Sequence, residues 1–166
     1  MTKNLVRYQQ MGHLHFVTFS CYQRKPFLRT RKGRELFERS LERMRIRYNF
    51  WIFGYVVMPE HVHLLMSEPK IGDVAKAIQA IKLSVSVQSV QARFWHKRYY
   101  DFNLFTSEKF AEKLRYMHRN PVVRELVEKP EEWAWSSYRH YLTGEPGTVE
   151  IESHWTIERR VRELRG

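Results

Sequence analysis

Two periodicities of apolar residues alternate along the chain and predict its secondary structure. Short stretches rich in Val, Phe and Thr, in which apolar residues alternate or run on, are typical of strands. Longer stretches with apolar residues three or four positions apart are typical of amphipathic helices. In chain order the patterns predict a strand at 13–22, a helix at 31–48, strands at 50–58 and 61–67, a helix at 74–90, a strand at 95–105 and a helix from Ser107.

The order β-α-β-β-α-β, followed by one more helix, predicts an α+β fold of the ferredoxin-like or RRM-like type. In that fold the strands form an antiparallel sheet and the two crossing helices cover one face. The composition changes near residues 143–147, where the sequence reads Thr-Gly-Glu-Pro-Gly. We therefore expect one domain over residues 1–141, followed by a linker and a basic amphipathic tail over 142–166.

The charge balance indicates the class of partner. The 166 residues include 29 Lys and Arg against 18 Asp and Glu, which gives a net charge of +11. A surplus of this size on one small domain favours a polyanion, with nucleic acid ahead of an anionic membrane. The single Cys21 suits a reducing compartment, and the longest apolar run, at 50–58, is too short to span a bilayer. We expect a soluble, cytoplasmic protein without a membrane partner and with a polar N-terminus that is not a signal peptide.

The segment YVVMPEHVHLLM contains the first candidate site. His61 and His63 are two positions apart in a predicted strand, so both side chains point to the same face. Two imidazoles at this spacing can hold one divalent metal ion. Spacing alone favours a simpler alternative, in which a strand end presents two histidines to solvent.

The segment KLRYMHRNP contains the second candidate site. On a helical wheel Tyr116 and Asn120 lie one turn apart on one flank of the apolar stripe, whereas His118 lies on the other flank. Two simpler alternatives remain open. Tyr116 is also suited to the boundary of a core, and Asn120 before Pro121 is a common helix start.

Taken together, the motifs MPEHVHLLM, YMHRNPV and EEWAWSSYRHY resemble those of the REP-associated tyrosine transposases over residues 10–141. These proteins are single-tyrosine HUH nucleases related to the smallest insertion-sequence transposases. The resemblance implies that His61, His63 and Asn120 bind Mg²⁺ or Mn²⁺. It also implies that Tyr116, on a C-terminal catalytic helix, attacks DNA to form a 5′-phosphotyrosine. At Glu60 the family commonly has Asn, which leaves the metal preference open.

The activity that the resemblance implies is metal-dependent cleavage and transfer of single-stranded DNA at hairpin-forming, REP-like repeats, as in DNA transposition. The expected partner is single-stranded or hairpin DNA, and the expected assembly is a monomer or a homodimer. Two alternatives remain, namely a domesticated nuclease that no longer transposes and a non-catalytic nucleic-acid-binding module. The second alternative leaves the histidine pair without a role, and the RNP aromatic pattern of RRM modules is absent from the sequence.

Basic residues interleaved with aromatic residues suggest where DNA binds, because phosphates pair with cations and bases stack on rings. They cluster after the first predicted strand and before the fourth. The alternative for each residue is an ordinary solvated face of an Arg-rich protein. The candidate DNA-binding residues are Arg24, Lys25, Arg31, Lys32, Trp95, Lys97 and Arg98.

Overall fold

The computed structural model describes residues 14–166, and its elements follow the predicted order. His13, the first residue of the first predicted strand, lies outside the described residues. Two single 3-10 turns occur at Tyr22–Arg24 and Pro130–Glu132. The strands are β1 (Leu14–Cys21), β2 (Ile52–Val57), β3 (His61–Ser67) and β4 (Trp95–Leu104), and the helices are α1 (Arg31–Tyr48), α2 (Val74–Ser86), α3 (Ser107–Val123), α4 (Tyr138–Thr143) and α5 (His154–Arg165).

The four strands form one antiparallel sheet in the order β2-β3-β1-β4. This order is that of the predicted ferredoxin-like fold, so the α+β prediction is confirmed. One row of paired residues crosses all four strands, from Val56 on β2 through His63 on β3 and Thr18 on β1 to Tyr100 on β4. Because directly paired residues share a face of a sheet, these four side chains lie on the same side.

Alternation along the strands divides the core into two layers. On one face, α1 and α2 pack against β1 through residues such as Phe37, Ile78 and Phe19, as predicted. On the opposite face, α3 packs through Met117 against a second cluster that contains Phe16. Full burial of one such side chain contributes roughly 1.5–3 kcal/mol. The opposite face is the one to which His63 points, so α3 covers the sheet beside the histidine pair.

The ends of the helices follow local chemistry. The Thr30 hydroxyl caps α1 by accepting a hydrogen bond from the amide of Gly33, and the Asp73 carboxylate caps α2. The predicted end of the second helix at residue 90 is wrong, because α2 ends at Ser86. Beyond that point Val87 and Val90 are 70% and 98% exposed, so the apolar pattern no longer has a surface to pack against.

Pro121 does not mark a helix boundary. The helix α3 continues through it to Val123, and the Asn120 carbonyl accepts a hydrogen bond from the amide of Arg124. Asn120 therefore lies inside the helix, one turn after Tyr116, and the alternative in which it begins a new helix is wrong. None of the helices within residues 14–166 is long and apolar enough to cross a membrane.

The chain after α3 returns along the outer edge of β2. The amides of Val57 and Ser137 donate to the carbonyls of Trp135 and Tyr55, respectively, and the amide of Glu152 donates to the carbonyl of Ile52. These bonds satisfy backbone groups that an edge strand otherwise exposes. Within residues 14–166, the outer edge of β4 has no comparable cover.

A glycine lets α3 approach the sheet closely. Gly54 lies beside an irregularity in the pairing of β2 with β3, directly under the helix. A Cβ atom added at Gly54 would lie 2.6 Å from Leu114 Cδ1 and 2.9 Å from Met117 Cε. The two side chains belong to the core layer between α3 and the sheet, so the close approach of α3 depends on the absence of a side chain at Gly54.

We expect Gly54→Ala to destabilise the fold by about 1–3 kcal/mol, because Leu114 and Met117 must move to accommodate the new methyl group. Thermal unfolding followed by circular dichroism should show a fall in Tm of roughly 2–10 °C. Gly147→Ala is the matched control, since nothing lies within 4 Å of a Cβ atom at that position. Equal melting temperatures for the two variants would contradict the close approach.

Candidate active site

The two histidines of β3 face each other on the α3 side of the sheet. His61 and His63 are 3% and 5% exposed, and their Nε2 atoms lie 3.1 Å apart. The alternative in which both point into solvent is therefore wrong. Alternation on a strand places them on one face, and the burial of both rings brings the two nitrogen atoms together.

Each imidazole is held from behind through its Nδ1 atom. His61 Nδ1 donates to the Glu60 carboxylate at 2.8 Å, and His63 Nδ1 lies 2.7 Å from the Thr18 hydroxyl. A carboxylate only accepts hydrogen bonds, so the His61 proton resides on Nδ1 and its Nε2 presents a lone pair. Partners of this kind are typical behind histidines that bind metal ions, because they fix the tautomer and the orientation of the ring.

Both imidazoles are neutral at physiological pH. Burial lowers the pKa of His63 to about 3, with the neighbouring His61 as a second cause. Burial also lowers the pKa of His61, although the Glu60 carboxylate opposes the shift. A neutral imidazole is the form that binds a metal ion, so the environment of the pair favours the required state.

The helix α3 brings Asn120 and Tyr116 to the histidines. Asn120 is 6% exposed, and its side-chain nitrogen lies 3.4 Å from His61 Nε2. The ring of Tyr116 lies 5.3 Å from that of His63, centre to centre, while 53% of the residue is exposed. Phe16 stacks on His63 at 5.3 Å, centre to centre, and contacts Tyr116 edge-on. The tyrosine is thus accessible to a large substrate and adjacent to the buried polar cluster.

His118 fixes the opposite flank of α3, as the helical wheel predicts. It is 7% exposed, and its Nε2 lies 2.7 Å from the Ser137 hydroxyl. Burial lowers the pKa of His118 to about 4, which keeps it neutral. Because Ser137 also bonds to the backbone of Tyr55 on β2, this contact holds the rotation of α3 about its own axis.

Glu60 connects the histidines to two arginines. Besides His61, its carboxylate contacts Arg124 Nη1 at 2.9 Å and Arg24 Nη2 at 3.6 Å. Burial raises the pKa of Glu60, but His61 and Arg124 together outweigh burial and hold the pKa below its ordinary value. Gln23 and Arg24 have left-handed backbone angles, with φ of 54° and 53°. Such angles are strained for side chains other than glycine, and here they occur where the chain turns Arg24 toward the site.

These groups line a cleft of about 500 Å³. Its walls combine the histidine pair, the tyrosine and asparagine of α3, and four arginines. Several of the lining residues were not predicted as site residues from the sequence. Arg119 had a usable signal, since it lies three positions after Tyr116 on the same helix, whereas Arg115 is only its neighbour in sequence. Arg124 follows Pro121, where the sequence leaves a helix boundary open as an alternative. The lining residues are Thr18, Arg24, His61, His63, Glu112, Arg115, Tyr116, Arg119, Asn120, Val123 and Arg124.

The other DNA-binding candidates are spread over the surface. Of the seven, only Arg24 lines the cleft. Trp95 packs against Phe19 and Phe37 and donates its indole hydrogen to the Lys82 carbonyl, so its ring is half-buried in the other core layer. The remaining five are exposed, around the loop into α1 and on β4, and these are Lys25, Arg31, Lys32, Lys97 and Arg98.

The donor atoms fit a divalent cation. Adjacent ligands of an octahedral ion, each roughly 2.1 Å from it, lie about 3.0 Å apart, which is close to the 3.1 Å between the two Nε2 atoms. Turning the Asn120 amide about its terminal bond presents an oxygen at the same place. Across residues 14–166, no cluster of three or more His, Cys, Asp or Glu side chains is placed to hold a metal ion. A divalent cation at this position would therefore be bound by two imidazoles and one amide.

Comparisons with known proteins identify the family of this chain. A protein of Haemophilus influenzae, provisionally named as a REP-associated tyrosine transposase, is 25% identical and matches 59% of this chain. That match spans 64% of the relative, slightly under two thirds of its length. The REP-associated tyrosine transposase of Escherichia coli is 24% identical over 80% of both chains.

A solved structure shares the fold. It is described as a REP-associated tyrosine transposase bound to a REP hairpin, and it superposes with a TM-score of 0.71 at 19% identity. The superposition covers 86% of this chain and 87% of the other. A family model described as IS200-like transposase matches residues 8–140, most of the sequence, and this protein therefore belongs to the IS200-like transposase family.

Proposed function

We propose that this protein is a metal-dependent, single-strand DNA endonuclease and strand transferase that forms a 5′-phosphotyrosine intermediate. One observation carries the proposal. An accessible tyrosine, a buried pair of imidazoles with converging Nε2 atoms and a buried amide line one arginine-rich cleft. Chemistry on a phosphodiester requires such a combination of nucleophile, electrophilic centre and positive charge.

His61, His63 and Asn120 are the proposed metal ligands, with Mg²⁺ or Mn²⁺ as the ion. When bound, such an ion polarises a phosphoryl oxygen and stabilises the charge that develops on it. The protein contributes by holding neutral donors in a fixed arrangement. Glu60 and Thr18 orient the two rings, and the burial of Asn120 keeps the amide close to His61.

Tyr116 is the proposed nucleophile. Its oxygen forms a bond to the phosphorus of the scissile phosphate while the bond from phosphorus to the 3′ oxygen breaks. The tyrosine loses its hydroxyl proton, and the departing 3′ oxygen takes one up. The protein remains linked to the 5′ phosphate, so a later 3′ hydroxyl can reverse the step and join the strands. One phosphodiester is exchanged for another, which is why strand transfer needs no external energy source.

Arginines are proposed to hold the DNA backbone in the cleft. Arg115 and Arg119 lie on α3 beside Tyr116, while Arg24 and Arg124 approach from the loop after β1 and the end of α3. Guanidinium groups bind phosphate oxygens through two parallel hydrogen bonds. This arrangement supports positioning of the scissile phosphate between the histidine pair and the tyrosine.

Hairpin-forming repeats are the proposed substrate, with transposition-type strand transfer as the activity. The support comes from the relatives named as REP-associated transposases and from the similar structure that is described as bound to a REP hairpin. The same chemistry also serves a domesticated nuclease that no longer transposes. A purely binding module is disfavoured, because it gives no role to two buried imidazole nitrogen atoms that converge beside an accessible tyrosine.

Replacement of the nucleophile tests the chemistry. Tyr116→Phe keeps the ring and removes one hydroxyl, so we expect folding and DNA binding to persist and the covalent adduct to disappear. The measurement is a denaturing gel with Mn²⁺ and a synthetic REP-type hairpin labelled 3′ of the cleavage site, so that the adduct carries the label.

Tyr48→Phe is the matched control, since Tyr48 lies at the end of α1 and packs against the core layer on the other face of the sheet. This control variant should form the adduct as the wild type does. An undiminished adduct in Tyr116→Phe would assign the nucleophile to another residue. Absence of any adduct in the wild type, with both metals and with all substrates tried, would favour the binding module.

The role of Glu60 generates a prediction about metal affinity. In Glu60→Gln the side chain can still accept from His61, but its charge is lost, so we expect Mn²⁺ to bind about 10- to 100-fold more weakly. Isothermal titration of the apo protein measures this without any reaction. Glu112→Gln is the matched control, because Glu112 lines the same cleft but pairs with Lys109 rather than with a histidine. Equal affinity in Glu60→Gln and in the wild type would contradict the orienting role.

Binding to DNA should depend steeply on salt. For single strands, log K is expected to fall by about 0.7 per phosphate contact against log salt. Fluorescence anisotropy in EDTA, with a hairpin and an unstructured strand of equal length, compares affinity and salt slope together. We expect the hairpin to bind more tightly. A flat salt response, or equal affinity for both DNAs, would refute recognition of hairpins through the basic surface.

A further inference from the structure

An exposed tyrosine continues the row of side chains that contains the histidines. His63, Thr18 and Tyr100 are paired across β3, β1 and β4, on the face that carries the cleft. Neighbouring strands lie roughly 4.8 Å apart, so the backbone of Tyr100 is about 10 Å from that of His63. Thr18 lies between them and contacts the His63 ring. The surface around Tyr100 is therefore continuous with the proposed active site.

The contacts of Tyr100 give its ring no role in stabilising the fold. The residue is 57% exposed, and within residues 14–166 its hydroxyl has no hydrogen-bond partner and its ring no aromatic neighbour. The adjacent Tyr99 differs, because it points to the opposite face and packs against the core formed with α1 and α2. Folding thus accounts for Tyr99 and leaves the open face of Tyr100 unexplained.

Positive charge and further aromatic rings surround this position. Lys113 Nζ lies over the rings of Phe16 and Phe102, at 5.0 and 5.3 Å from their centres. Phe102 is on the same face of β4 as Tyr100, and Phe16 stacks on His63. A lysine therefore lies over the pair Phe16 and Phe102, which neighbours the pair Thr18 and Tyr100 on the same face of the sheet. Cations interleaved with open aromatic faces are the features that bind single-stranded nucleic acid.

We infer that Tyr100 stacks on an unpaired nucleobase of the DNA strand that runs from the proposed active site toward β4, with Lys113 beside the connecting phosphates. This inference rests on the proposed function and deepens it by naming a residue that recognises the single-stranded part of the substrate. A base fits this position better than a phosphate does, because the open ring face offers a stacking surface, whereas the single uncharged hydroxyl of Tyr100 provides no charge to pair with a phosphate. The spacing of about 10 Å between backbones places the stacked base within a few nucleotides of the scissile phosphate.

The test is a binding experiment without cleavage. Affinity for a synthetic REP-type hairpin with single-stranded flanks is measured in EDTA for the wild type, Tyr100→Ala and Tyr100→Phe. Loss of one stacked base is expected to weaken binding of the alanine variant about 5- to 150-fold, whereas the phenylalanine variant should bind like the wild type. Phe105→Ala is the matched control, since Phe105 is 64% exposed and follows the far end of the same strand.

A scan with abasic nucleotides identifies the stacked base. At one position in a flank, removal of the base should weaken binding to the wild type but not weaken binding to Tyr100→Ala any further. Such non-additivity supports a direct contact. The inference is overturned if Tyr100→Ala binds as tightly as the wild type, if Phe105→Ala loses as much affinity, or if no position in the scan is non-additive.

Two additional readouts separate this inference from its alternatives. If Tyr100→Ala changes the sedimentation behaviour and loses affinity only through that change, the open edge of β4 serves pairing of two copies and the stacking inference fails. If the wild type binds and cleaves the hairpin while Tyr100→Ala binds equally well, only this inference fails. If the wild type neither binds nor cleaves, the proposed function itself fails.

Discussion

The structure depends on two neutral imidazoles that are held with their Nε2 atoms 3.1 Å apart in a buried environment. Burying imidazole nitrogen atoms without hydrogen-bond partners is costly, so the surrounding residues must supply those partners. The strand must alternate regularly to bring both rings to one face. A hydroxyl from β1 and a carboxylate from the preceding turn must then hold the outer nitrogen atoms. Stability alone does not require this arrangement, because apolar side chains would fill the space at lower cost.

The second constraint is the placement of α3 over the sheet. Gly54 allows the helix to approach β2, and His118 fixes its rotation through Ser137. Together these contacts turn Asn120 and Tyr116 toward the histidines. The helix carries side chains with opposite requirements, since the asparagine is buried and the proposed nucleophile Tyr116 must remain accessible. One turn of separation along a helix that lies at the rim of the sheet satisfies both requirements.

The sequence predicted the order of elements from local pattern, whereas the candidate residues of the site depended on the family resemblance, because spacing alone favoured simpler alternatives. Strand alternation sufficed to place His61 and His63 on one face, and helical spacing sufficed to group Tyr116 with Asn120. Only the family resemblance predicted that the histidine pair lies next to Tyr116 and Asn120, since periodicity holds no information about which face of the sheet α3 covers. The valines after α2 led to a wrong prediction of the helix end, and Pro121 left a helix start at Asn120 open as an alternative, because packing rather than propensity decides where these helices end.

Contacts between elements that are distant in sequence were the least predictable part. The approach of Arg124 to Glu60 depends on α3 passing through a proline, and the contact of Thr18 with His63 depends on strand register. Trp95 illustrates the reverse case. It has basic neighbours in the sequence, which suggested a DNA-stacking surface, yet the structure packs its ring into the core beside Phe19. The sequence shows which residues are neighbours along the chain, whereas the tertiary fold decides which of them are accessible to a ligand.

The single carboxylate of Glu60 accepts from His61 on one side and contacts Arg24 and Arg124 on the other. A cation at the imidazoles and a phosphate at the arginines would therefore act on one shared group. Their binding equilibria are then thermodynamically linked, and any factor by which the cation raises the affinity for phosphate is returned equally by the phosphate to the cation. Where the cation raises the affinity for phosphate, the proposed metal ion would be held most firmly while DNA is bound and released most readily after DNA has left.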